Sequence, residues 1–268
     1  MLLVHSPPSH RELYTPGLGD APALFASHAP KQNHILMALP RADFERVLPH
    51  LEPVAMPPGW VVHGAGQRRR SLYFPTDGIV ARLYESAAGE TAAFAFTGNE
   101  GVIGVASFLS GESMPSQAVV ISPGFAYRLD TRLLTSEFEH DGPLPQLLLH
   151  YTQSLLAQTW QIAACNGRHP LEQQFCRLIL SFLDRLPSNE LVMTQELISA
   201  MLGVRRESIT EVAGKLQRAG QIYYRRGHIA VLDRAGLEAR ACECYRALRR
   251  DFGRLQVSRS APGSLTRQ

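Results

Sequence analysis

The sequence lacks a hydrophobic segment that could cross a membrane, because no run of about 18 uncharged apolar residues occurs in its 268 residues. The opening MLLVHSPPSH has no basic start, and its apolar run is too short for a signal peptide. Hydrophobic residues make up 45% and charged residues 19%, which is typical of a globular protein with one large or two medium domains. We therefore expect a cytoplasmic protein without a membrane partner.

Cysteine is scarce, and the four cysteines all lie in the second half of the chain: Cys165, Cys176, Cys242 and Cys244. No two form a CxxC pair, so a zinc site of the usual spacing is missing, and a disulfide scaffold is not expected at this length. Cys242 and Cys244 are two residues apart in a helical pattern, which would direct their thiols to different faces. The sequence thus predicts reduced structural thiols and no metal ligands.

Catalytic motifs are missing as well, since the chain has no GxSxG, no HExxH and no Gly-rich phosphate-binding loop. The stretch GAGQRRR at 64–70 lacks the spacing of a phosphate loop and lies between two predicted strands, so we interpret it as a turn. Its three arginines are predicted either to be solvated or to contact another protein. We do not expect an enzyme.

Charge is unevenly distributed, although the net charge is only +3. Residues 1–167 carry 10 Lys and Arg against 14 Asp and Glu, a balance of −4. Residues 168–268 carry 17 against 10, a balance of +7. A basic second part predicts that any polyanion meets the C-terminal region.

The first half has the pattern of a β-domain. Residues 1–33 show no sustained period and predict a flexible tail. A short helix at Pro40–Leu48 would follow. Short apolar runs then recur about every 10 residues, separated by turn signals such as PPG, TDG and SPG: WVVH, SLYFP, GIVARLY, TAAFAF, SQAVVIS and GFAYRLD. This spacing is typical of an antiparallel sandwich or barrel.

A long helix is predicted from Pro143 onwards, where uncharged residues recur in steps of 4 and 3: Leu144, Leu148, Tyr151, Leu155, Gln158, Ile162 and Cys165. Such a heptad stripe packs either on a second copy of the helix or on the chain's own β-domain. Another apolar face is available for the β-domain: Leu147, Leu149, Leu156 and Trp160. We therefore predict a homodimer through Leu144, Leu148, Tyr151, Leu155 and Ile162. The stretch Asn166–Pro170 would end the helix and mark a domain boundary.

Residues 194–220, TQELISAMLGVRRESITEVAGKLQRAG, predict two helices joined by a turn. Thr194 is a good N-cap, and Gly203 allows a sharp turn at low steric cost. The buried face of the first helix would consist of Leu197, Ile198, Met201 and Leu202. The buried face of the second would consist of Ile209, Val212, Ala213 and Leu216. The second helix keeps a polar face led by basic residues, which favours a helix-turn-helix over an ordinary helical hairpin.

The following segment, QIYYRRGHIAVLD, alternates around Arg226-Gly227 and predicts a β-hairpin, which would make the motif winged. Four side chains near its tip could reach DNA phosphates: Tyr224, Arg225, Arg226 and His228. The alternative is a charged tip that is only solvated.

The polar face of the second helix suits the major groove, because Arg can donate to the O6 and N7 of guanine and Glu can accept from the N4 amine of cytosine. Arg206 and Glu207 are placed to read adjacent bases. The full set predicted to face DNA from this helix is Arg205, Arg206, Glu207, Ser208, Thr210, Glu211 and Lys215. Double-stranded DNA is the predicted partner, bound by a homodimer at half-sites about one helical turn apart.

A β-roll, a long helix and a winged helix-turn-helix with a Gly-x-x-Arg-Glu-[Ser/Thr] step resemble the Crp/Fnr superfamily of bacterial transcription regulators. The resemblance spans about residues 34–250 and rests on TQELISAMLGVRRESITEVAGKLQRAGQI, PPGWVVHGAG, LYFPTDGIVARL and GNEGVIGVASFLSGE. It implies an α+β fold: an N-terminal antiparallel β-roll similar to cyclic-nucleotide-binding jelly rolls, a long dimerisation helix and a C-terminal winged helix-turn-helix. The expected division is a tail at 1–33, the β-roll at 34–142, the dimerisation helix at 143–166, the DNA-binding domain at 167–256 and a tail at 257–268.

The resemblance also bears on single residues of the reading helix. Arg206 and Glu207 match the base-reading Arg-Glu pair of the superfamily. The third reader is commonly Arg, whereas this chain has Glu211, which cannot donate to guanine. The implied half-site therefore differs from the best-known one of the superfamily, or Glu211 does not contact DNA.

The ligand cassette of the superfamily is degenerate in this chain. Cyclic-nucleotide-binding members have Gly-Glu-[Leu/Ile] and later Arg-[Ser/Thr]-Ala, where the Glu holds a ribose hydroxyl and the Arg the cyclic phosphate. Here the matching positions are Gly104-Val105-Ala106 and Ser116-Gln117-Ala118. Both charged groups are missing, and only Arg82 or Arg128 could replace the guanidinium. We do not expect cyclic AMP to bind in the usual mode.

Cofactors and further partners follow from the same resemblance. The iron–sulfur branch uses cysteines near the N-terminus, and this chain has none before Cys165, so no such cluster is expected. His63 stays open as a haem ligand. We otherwise expect no cofactor and no metal. RNA polymerase is an expected partner if the protein is an activator, and an unidentified small-molecule effector remains open.

Overall fold

The computed structural model describes residues 28–66, 70–86, 91–105, 109, 115–139, 142–186 and 188–257. Several predictions fall outside this part of the chain: the tail up to residue 27, the arginines at 68 and 69, the cassette residue at 106, and the tail beyond residue 257.

An antiparallel β-domain follows two short helices, α1 (His34–Ala38) and α2 (Arg41–Val47). Its strands in the described residues are β1 Glu52–Met56, β2 Val61–His63, β3 Ser71–Pro75, β4 Ile79–Glu85, β5 Thr91–Thr97, β6 Gln117–Ser122 and β7 Gly124–Asp130. They form two sheets with the orders β1-β7-β3 and β2-β6-β4-β5. Each of the six predicted apolar runs contains a strand. Strand β1 was not predicted, because its sequence EPVAM has a proline; β1 is an edge strand, where proline is tolerated.

The four-stranded sheet is covered on both faces. On one face, Val80 of β4 and Val120 of β6 pack with Tyr73 and Ala126 of the other sheet. The opposite face belongs to a core that it shares with the C-terminal helices. The rings of Phe96 on β5 and Phe182 meet edge to face there, with their centroids 4.8 Å apart. The β-domain and the C-terminal region are therefore joined by apolar packing.

Helix α3 (Thr131–Glu139) leads into the long helix α4 (Pro143–Arg168). Gly142 is the N-cap of α4 and Pro143 its first residue, a position where proline costs no hydrogen bond. The 26 residues of α4 extend over about 39 Å. The helix runs through Asn166 and Gly167 and ends before His169-Pro170, so it is two residues longer than predicted.

The two faces of α4 are the reverse of the prediction. The residues assigned to dimerisation lie against the chain's own core: Leu144, Leu148, Tyr151 and Ile162 are buried, and Leu155 is half-buried. Three residues assigned to the β-domain are instead open to solvent, with exposed fractions of 51% for Leu149, 49% for Leu156 and 69% for Trp160. The heptad spacing identified both faces but assigned them wrongly.

The reason for this reversal is the polar side chains of the buried stripe. Tyr151 shares a hydrogen bond of 2.8 Å with the hydroxyl of Thr97. The side-chain oxygen of Gln158 accepts a hydrogen bond of 2.7 Å from the backbone N–H of Phe96. Strand β5 thus satisfies both polar groups, which favours burial of the stripe that carries them. The sequence alone did not reveal these hydrogen bonds.

The C-terminal region combines a small sheet with helices. Its elements are α5 Leu171–Leu183, β8 Glu190–Val192, α6 Gln195–Leu202, α7 Arg206–Arg218, β9 Ile222–Arg225, β10 His228–Val231, α8 Arg234–Arg240 and α9 Glu243–Val257. The sheet has the order β8-β10-β9, in which β9 and β10 form the predicted hairpin. The predicted α+β fold is confirmed. Within the described residues, no helix combines the length and the apolar character that a membrane span requires.

A buried ion pair crosses from the β-domain to this region. Arg185, just after α5, contacts Glu100 at 2.8 Å between Nε and Oε1, and both side chains are almost fully buried. The carboxylate of Glu100 also accepts a hydrogen bond from the backbone N–H of Gly98. The guanidinium of Arg185 donates to the carbonyl oxygen of Ser181 at 2.5 Å. The pair ties the loop after β5 to the end of α5.

Candidate nucleic-acid interface

Helices α6 and α7 meet at a left-handed turn. The hydroxyl of Thr194 accepts a hydrogen bond from the N–H of Leu197 and caps α6. Gly203 ends α6 with φ 65° and ψ 36°, and Ser199 accepts from the N–H groups of Gly203 and Val204. A Cβ at position 203 would meet nothing within 4 Å, so the backbone angle, and not a lack of space, favours glycine.

One face of α7 is anchored and the other is open. Its buried residues are the predicted Ile209, Val212, Ala213 and Leu216. Of the seven residues predicted to face DNA, six are exposed and Ser208 is half-buried; the exposed ones are Arg205, Arg206, Glu207, Thr210, Glu211 and Lys215. The helix thus presents a polar face to solvent while its apolar face fixes its orientation.

Arg206 is held by polar side chains from the start of α6. Its Nη1 lies 2.6 Å from Oε1 of Glu196, and its Nε lies 3.5 Å from Oε1 of Gln195. The same Gln195 oxygen accepts a hydrogen bond of 2.9 Å from the hydroxyl of Thr210. These contacts limit the rotamers of an otherwise mobile side chain at the first turn of α7.

Glu211 has a partner on its own helix. Its Oε1 lies 3.2 Å from Nζ of Lys215, four residues later, and both side chains are exposed. This is the ordinary i,i+4 pair of a solvated helix face. In this arrangement the carboxylate is directed along the helix towards its C-terminal end.

The hairpin after α7 has a two-residue turn. His228 pairs with Arg225, so Arg226 and Gly227 form the turn, with φ values of 51° and 82°. Two positive φ angles define a type I′ turn, which favours Asn-Gly. Arg226 is the one non-glycine residue of the described chain with a positive φ. The left-handed backbone conformation of a non-glycine residue costs about 1–2 kcal/mol of folding stability. At this position it places the guanidinium of Arg226 in solvent.

Tyr224 braces the hairpin against α7 and α6. Its backbone N–H donates to Oε1 of Gln217 at 2.7 Å, and its hydroxyl donates to the carbonyl oxygen of Met193 at 2.8 Å. Burial, followed by the charge of Glu196, raises the pKa of the Tyr224 phenol to about 12, so it stays protonated near neutral pH. The hydroxyl that was predicted to reach a phosphate is thus engaged within the domain, whereas Arg225 and Arg226 are exposed.

A groove of about 450 Å³ lies between these elements. The start of α6 forms one side, with Thr194, Gln195 and Glu196, and α7 forms the floor from Arg206 to Gln217. The hairpin tip closes the other side with Arg226 and Gly227. The groove therefore brings the start of the predicted reading helix and the tip of the wing to one surface.

The residues of the predicted ligand cassette lie in the β-domain core. Val105 is fully buried, Ser116 is buried and Gln117 is half-buried at the start of β6. Gly104 has φ 105°, and a Cβ there would lie 2.9 Å from the carbonyl oxygen of Ser71 and 3.2 Å from Nε2 of His63. His63 itself is buried, with its ring 5.6 Å from that of Tyr73.

A second group of chemically active side chains lies where α4 meets α9. Cys165, His169, Cys242 and Cys244 bring one donor atom each to within 4.8 Å of one another. This cluster contradicts the prediction that the chain has no metal ligands and no site for a metal cofactor. Cys165 and His169 are one helical turn apart at the end of α4. Cys242 precedes α9, and its carbonyl accepts from the N–H of Tyr245 as an N-cap does.

The position of the helix boundary explains the error. The thiols of Cys242 and Cys244 would diverge inside a regular helix, but α9 begins between them, at Glu243. Cys165 and His169 form no CxxC pair, but their i,i+4 spacing places residues on one face of a helix. That spacing was the signal in the sequence that could have revealed half of the cluster.

Comparisons with known proteins identify the type of domain that contains α6, α7 and the hairpin. A family model described as the Crp-like helix-turn-helix domain matches residues 173–240. FixK2 from Bradyrhizobium japonicum superposes with a TM-score of 0.63 at 17% identity, over 72% of this chain and 98% of that chain. A CRP/FNR-family transcriptional regulator from Thermus thermophilus gives 0.56 at 22%, over 71% and 98%. The c-di-GMP responsive global regulator CLP of Xanthomonas campestris gives 0.58 at 17%, over 72% and 99%.

No curated protein matches the chain in sequence. At these low identities the solved structures establish the fold, and the family model establishes the type of the DNA-binding domain. The resemblance predicted from the sequence is confirmed: the chain contains a Crp-like helix-turn-helix domain and has the fold of Crp/Fnr-type transcription regulators.

Proposed function

We propose that this protein is a homodimeric, sequence-specific regulator of transcription that binds a palindromic DNA site. The observation that carries the proposal is the exposed face of α7, which begins with Arg206 and Glu207 beside the wing and follows the exposed N-cap residue Arg205. An α-helix fits the major groove, and its N-terminal residues contact base edges in helix-turn-helix proteins. We propose the division of the chain at about residues 142 and 167 into β-roll, long helix and DNA-binding domain.

Arg206 and Glu207 are the proposed base readers. Arg206 would exchange its contact with Glu196 for two hydrogen bonds to a guanine, and Glu207 would accept from a cytosine amine. Each such pair discriminates by about 1–3 kcal/mol. Ser208, Thr210 and Lys215 are proposed to contact the backbone or neighbouring bases.

The wing arginines are the proposed phosphate contacts. Arg225 and Arg226 are exposed at the tip of the hairpin, on the same groove as the start of α7. Phosphate contacts position a protein on DNA without reading its sequence. The backbone of Arg226 supports this role, because it is held at φ 51°. Strained backbone conformations of this kind cluster at functional sites.

Dimerisation is proposed through the exposed face of α4. Leu149, Leu156 and Trp160 recur in steps of 7 and 4 on the outer side of a helix of 26 residues. A large apolar stripe on a solvent-facing helix favours pairing with its own copy about a twofold axis. Such a dimer would place two copies of α7 on half-sites about 34–36 Å apart. RNA polymerase would be a further partner if the regulator is an activator.

The experiment that tests this function is selection of bound DNA from a random pool with the purified full chain. We expect enrichment of an inverted repeat whose half-site centres are about 10–10.5 base pairs apart, or a multiple of that spacing. Enrichment of a single unrepeated half-site would contradict the dimer. Retention of the pool without any enriched sequence would contradict sequence-specific binding.

A second candidate function is a sensor in which the β-roll binds a small molecule and switches DNA binding. The buried contact of Glu100 with Arg185 favours it, because the contact connects the β-domain directly to the DNA-binding region. Thermal unfolding with cyclic nucleotides, c-di-GMP, haem and 2-oxoacids tests this candidate. A ligand that raises both the melting temperature and the DNA affinity would support it, and a protein whose DNA affinity ignores every ligand would contradict it for these classes.

A further inference from the structure

We propose that Cys165, His169, Cys242 and Cys244 bind one Zn²⁺ ion, which joins the end of α4 to the start of α9. The four side chains are three sulfurs and one imidazole, a donor set that is common in structural zinc sites. No assigned role in DNA binding involves these residues, and the cluster lies on other helices than α6 and α7.

The distances within the cluster suit a tetrahedral ion. Zn–S bonds of about 2.3 Å and Zn–N bonds of about 2.0–2.1 Å place neighbouring tetrahedral ligands about 3.5–3.8 Å apart. The sulfurs of Cys165 and Cys242 are 3.5 Å apart, and the sulfur of Cys244 lies 3.5 Å from Nδ1 of His169. All four donor atoms lie within 4.8 Å of one another, so only small side-chain movements are needed to close the site.

The neighbours of the cluster resemble those of a metal site. The second ring nitrogen of His169, Nε2, lies 3.1 Å from Oε1 of Glu243. Histidines that bind metals usually donate this second N–H to a carboxylate or carbonyl, which fixes the tautomer and orients the ring. In addition, Nε2 of Gln161 donates to the sulfur of Cys244 at 2.9 Å. A hydrogen-bond donor at this position stabilises a thiolate ligand.

A buried positive charge next to the cluster supports the proposal independently. Arg177 of α5 is only 1% exposed, and it contacts Asn166, the residue that follows Cys165 in the chain. Its Nη2 donates to Oδ1 of Asn166 at 3.3 Å, but Nε and Nη1 have no hydrogen-bond partner among the described residues. An unpaired buried guanidinium is costly.

Zinc at this site would supply the missing anionic environment. On binding, three thiols release their protons to solvent and become thiolates, while His169 stays neutral. Three thiolates and one divalent cation leave one net negative charge, which balances the charge of Arg177. The negative charge of the zinc site would thus account for the burial of Arg177 without a carboxylate partner in the described part of the chain.

The compactness of the cluster favours a single ion over an iron–sulfur cluster. Ligands of a cluster with two or four irons bind different iron atoms and lie further apart than ligands that share one ion. A disulfide between Cys165 and Cys242 would not account for the positions of Cys244 and His169 in the same cluster. A single tetrahedral ion uses all four side chains at these distances.

The proposed ion would fix the orientation of the last helix. Cys165 and His169 lie at the end of α4, next to the connection into α5, while Cys242 and Cys244 begin α9. One ion would thus connect the long helix to the C-terminal end of the DNA-binding region. Its loss would weaken the hold on the start of α9, while Tyr245 of α9 would stay in the core that also buries α6 and α7.

The test begins with the metal content of the full chain, purified without chelator. We expect about one zinc per chain and, after exchange with Co²⁺, the intense visible absorption of a tetrahedral thiolate complex. Full reactivity of the four cysteines in a protein without metal would overturn the proposal. A Cys165–Cys242 disulfide, or iron together with inorganic sulfide, would overturn it as well.

Variants then test the individual ligands. Cys244→Ser should lower zinc affinity by more than 100-fold, whereas Glu243→Gln, which changes only the partner of His169, should lower it by about 10–100-fold. Cys176→Ser is the matched control, because Cys176 is a buried cysteine outside the cluster and should keep full affinity. Equal zinc affinity in the wild type and in both test variants would show that the ion binds elsewhere, which would refute the site even if a variant is less stable.

Discussion

Arginine occupies two contrasting environments in the C-terminal region. Arg177 and Arg185 are buried in and just after α5, where Arg185 is fixed by Glu100. Arg205, Arg206, Arg225 and Arg226 are exposed on α7 and the wing. The charge balance of +7 for residues 168–268 counts both kinds equally, although only the exposed arginines are available to a polyanion. Burial thus separates arginines that hold the fold together from those that are open to DNA.

The largest expected change in the free energy of unfolding comes from substitution of a buried arginine. Arg185→Met leaves the carboxylate of Glu100 buried without its partner, which should lower the free energy of unfolding by about 3–5 kcal/mol. Arg41→Met is the control, because its i,i+4 pair with Glu45 is exposed and should contribute only about 0.3–0.5 kcal/mol. Urea unfolding measures both. Similar small losses in the two variants would contradict the distinction between buried and exposed arginines.

Charge on the outer face of α4 should have the next largest effect. Trp160→Glu places a carboxylate on the proposed dimer face and should raise the dimer dissociation constant about tenfold or more, which corresponds to at least about 1.4 kcal/mol. Tyr84→Glu is the control on an exposed aromatic residue of β4. Sedimentation at several concentrations measures the effect. A dimer that tolerates Trp160→Glu would contradict pairing through this face of α4.

The wing tip should respond in two opposite ways. Arg226→Gly relieves the left-handed strain of about 1–2 kcal/mol but gives the unfolded chain more freedom, so it should raise the free energy of unfolding by about 0.5–1 kcal/mol. The same change should weaken binding to every DNA sequence and lower the slope of log affinity against log salt by about 1. Arg225→Ala, in a regular strand, should weaken DNA binding without the gain in stability. If the salt dependence of DNA binding is unchanged in both variants, the wing does not contact phosphates and this part of the proposal is contradicted.

The smallest effect is expected at Glu211. Its exposed pair with Lys215 is worth about 0.3–0.5 kcal/mol of stability, so Glu211→Gln should change the free energy of unfolding by no more than that. If the carboxylate faces along the helix and not towards a base, the selected DNA sequence should stay the same. A new preferred base in a repeated selection would make Glu211 a reader.

Local patterns predicted what depends on local backbone. The Thr194 cap, the Gly203 turn and the Arg226-Gly227 hairpin were predicted because each requires particular residue types at adjacent positions. The buried face of α7 followed from its helical period in the same way. These features define the helix-turn-helix, and the family model confirms a domain of this type at residues 173–240.

Features that depend on distant partners were not predictable. The outer face of α4 was assigned wrongly because Tyr151 and Gln158 find hydrogen-bond partners on β5, more than 50 residues away. The pairing of Glu100 with Arg185 spans 85 residues. The cluster of Cys165 with Cys242 spans 77 residues and was missed for the same reason. No short-range period records such contacts.

The most direct test of the central claim compares two exposed arginines. Affinities of the wild type, Arg206→Ala and Arg225→Ala are measured for the selected palindrome and for the same DNA with one guanine per half-site replaced. We expect Arg206→Ala to lose about 1–3 kcal/mol per half-site on the palindrome and to bind both DNAs equally. Arg225→Ala should weaken both by the same factor. If Arg206→Ala keeps the wild-type preference between the two DNAs, α7 does not read bases through Arg206 and the account is contradicted.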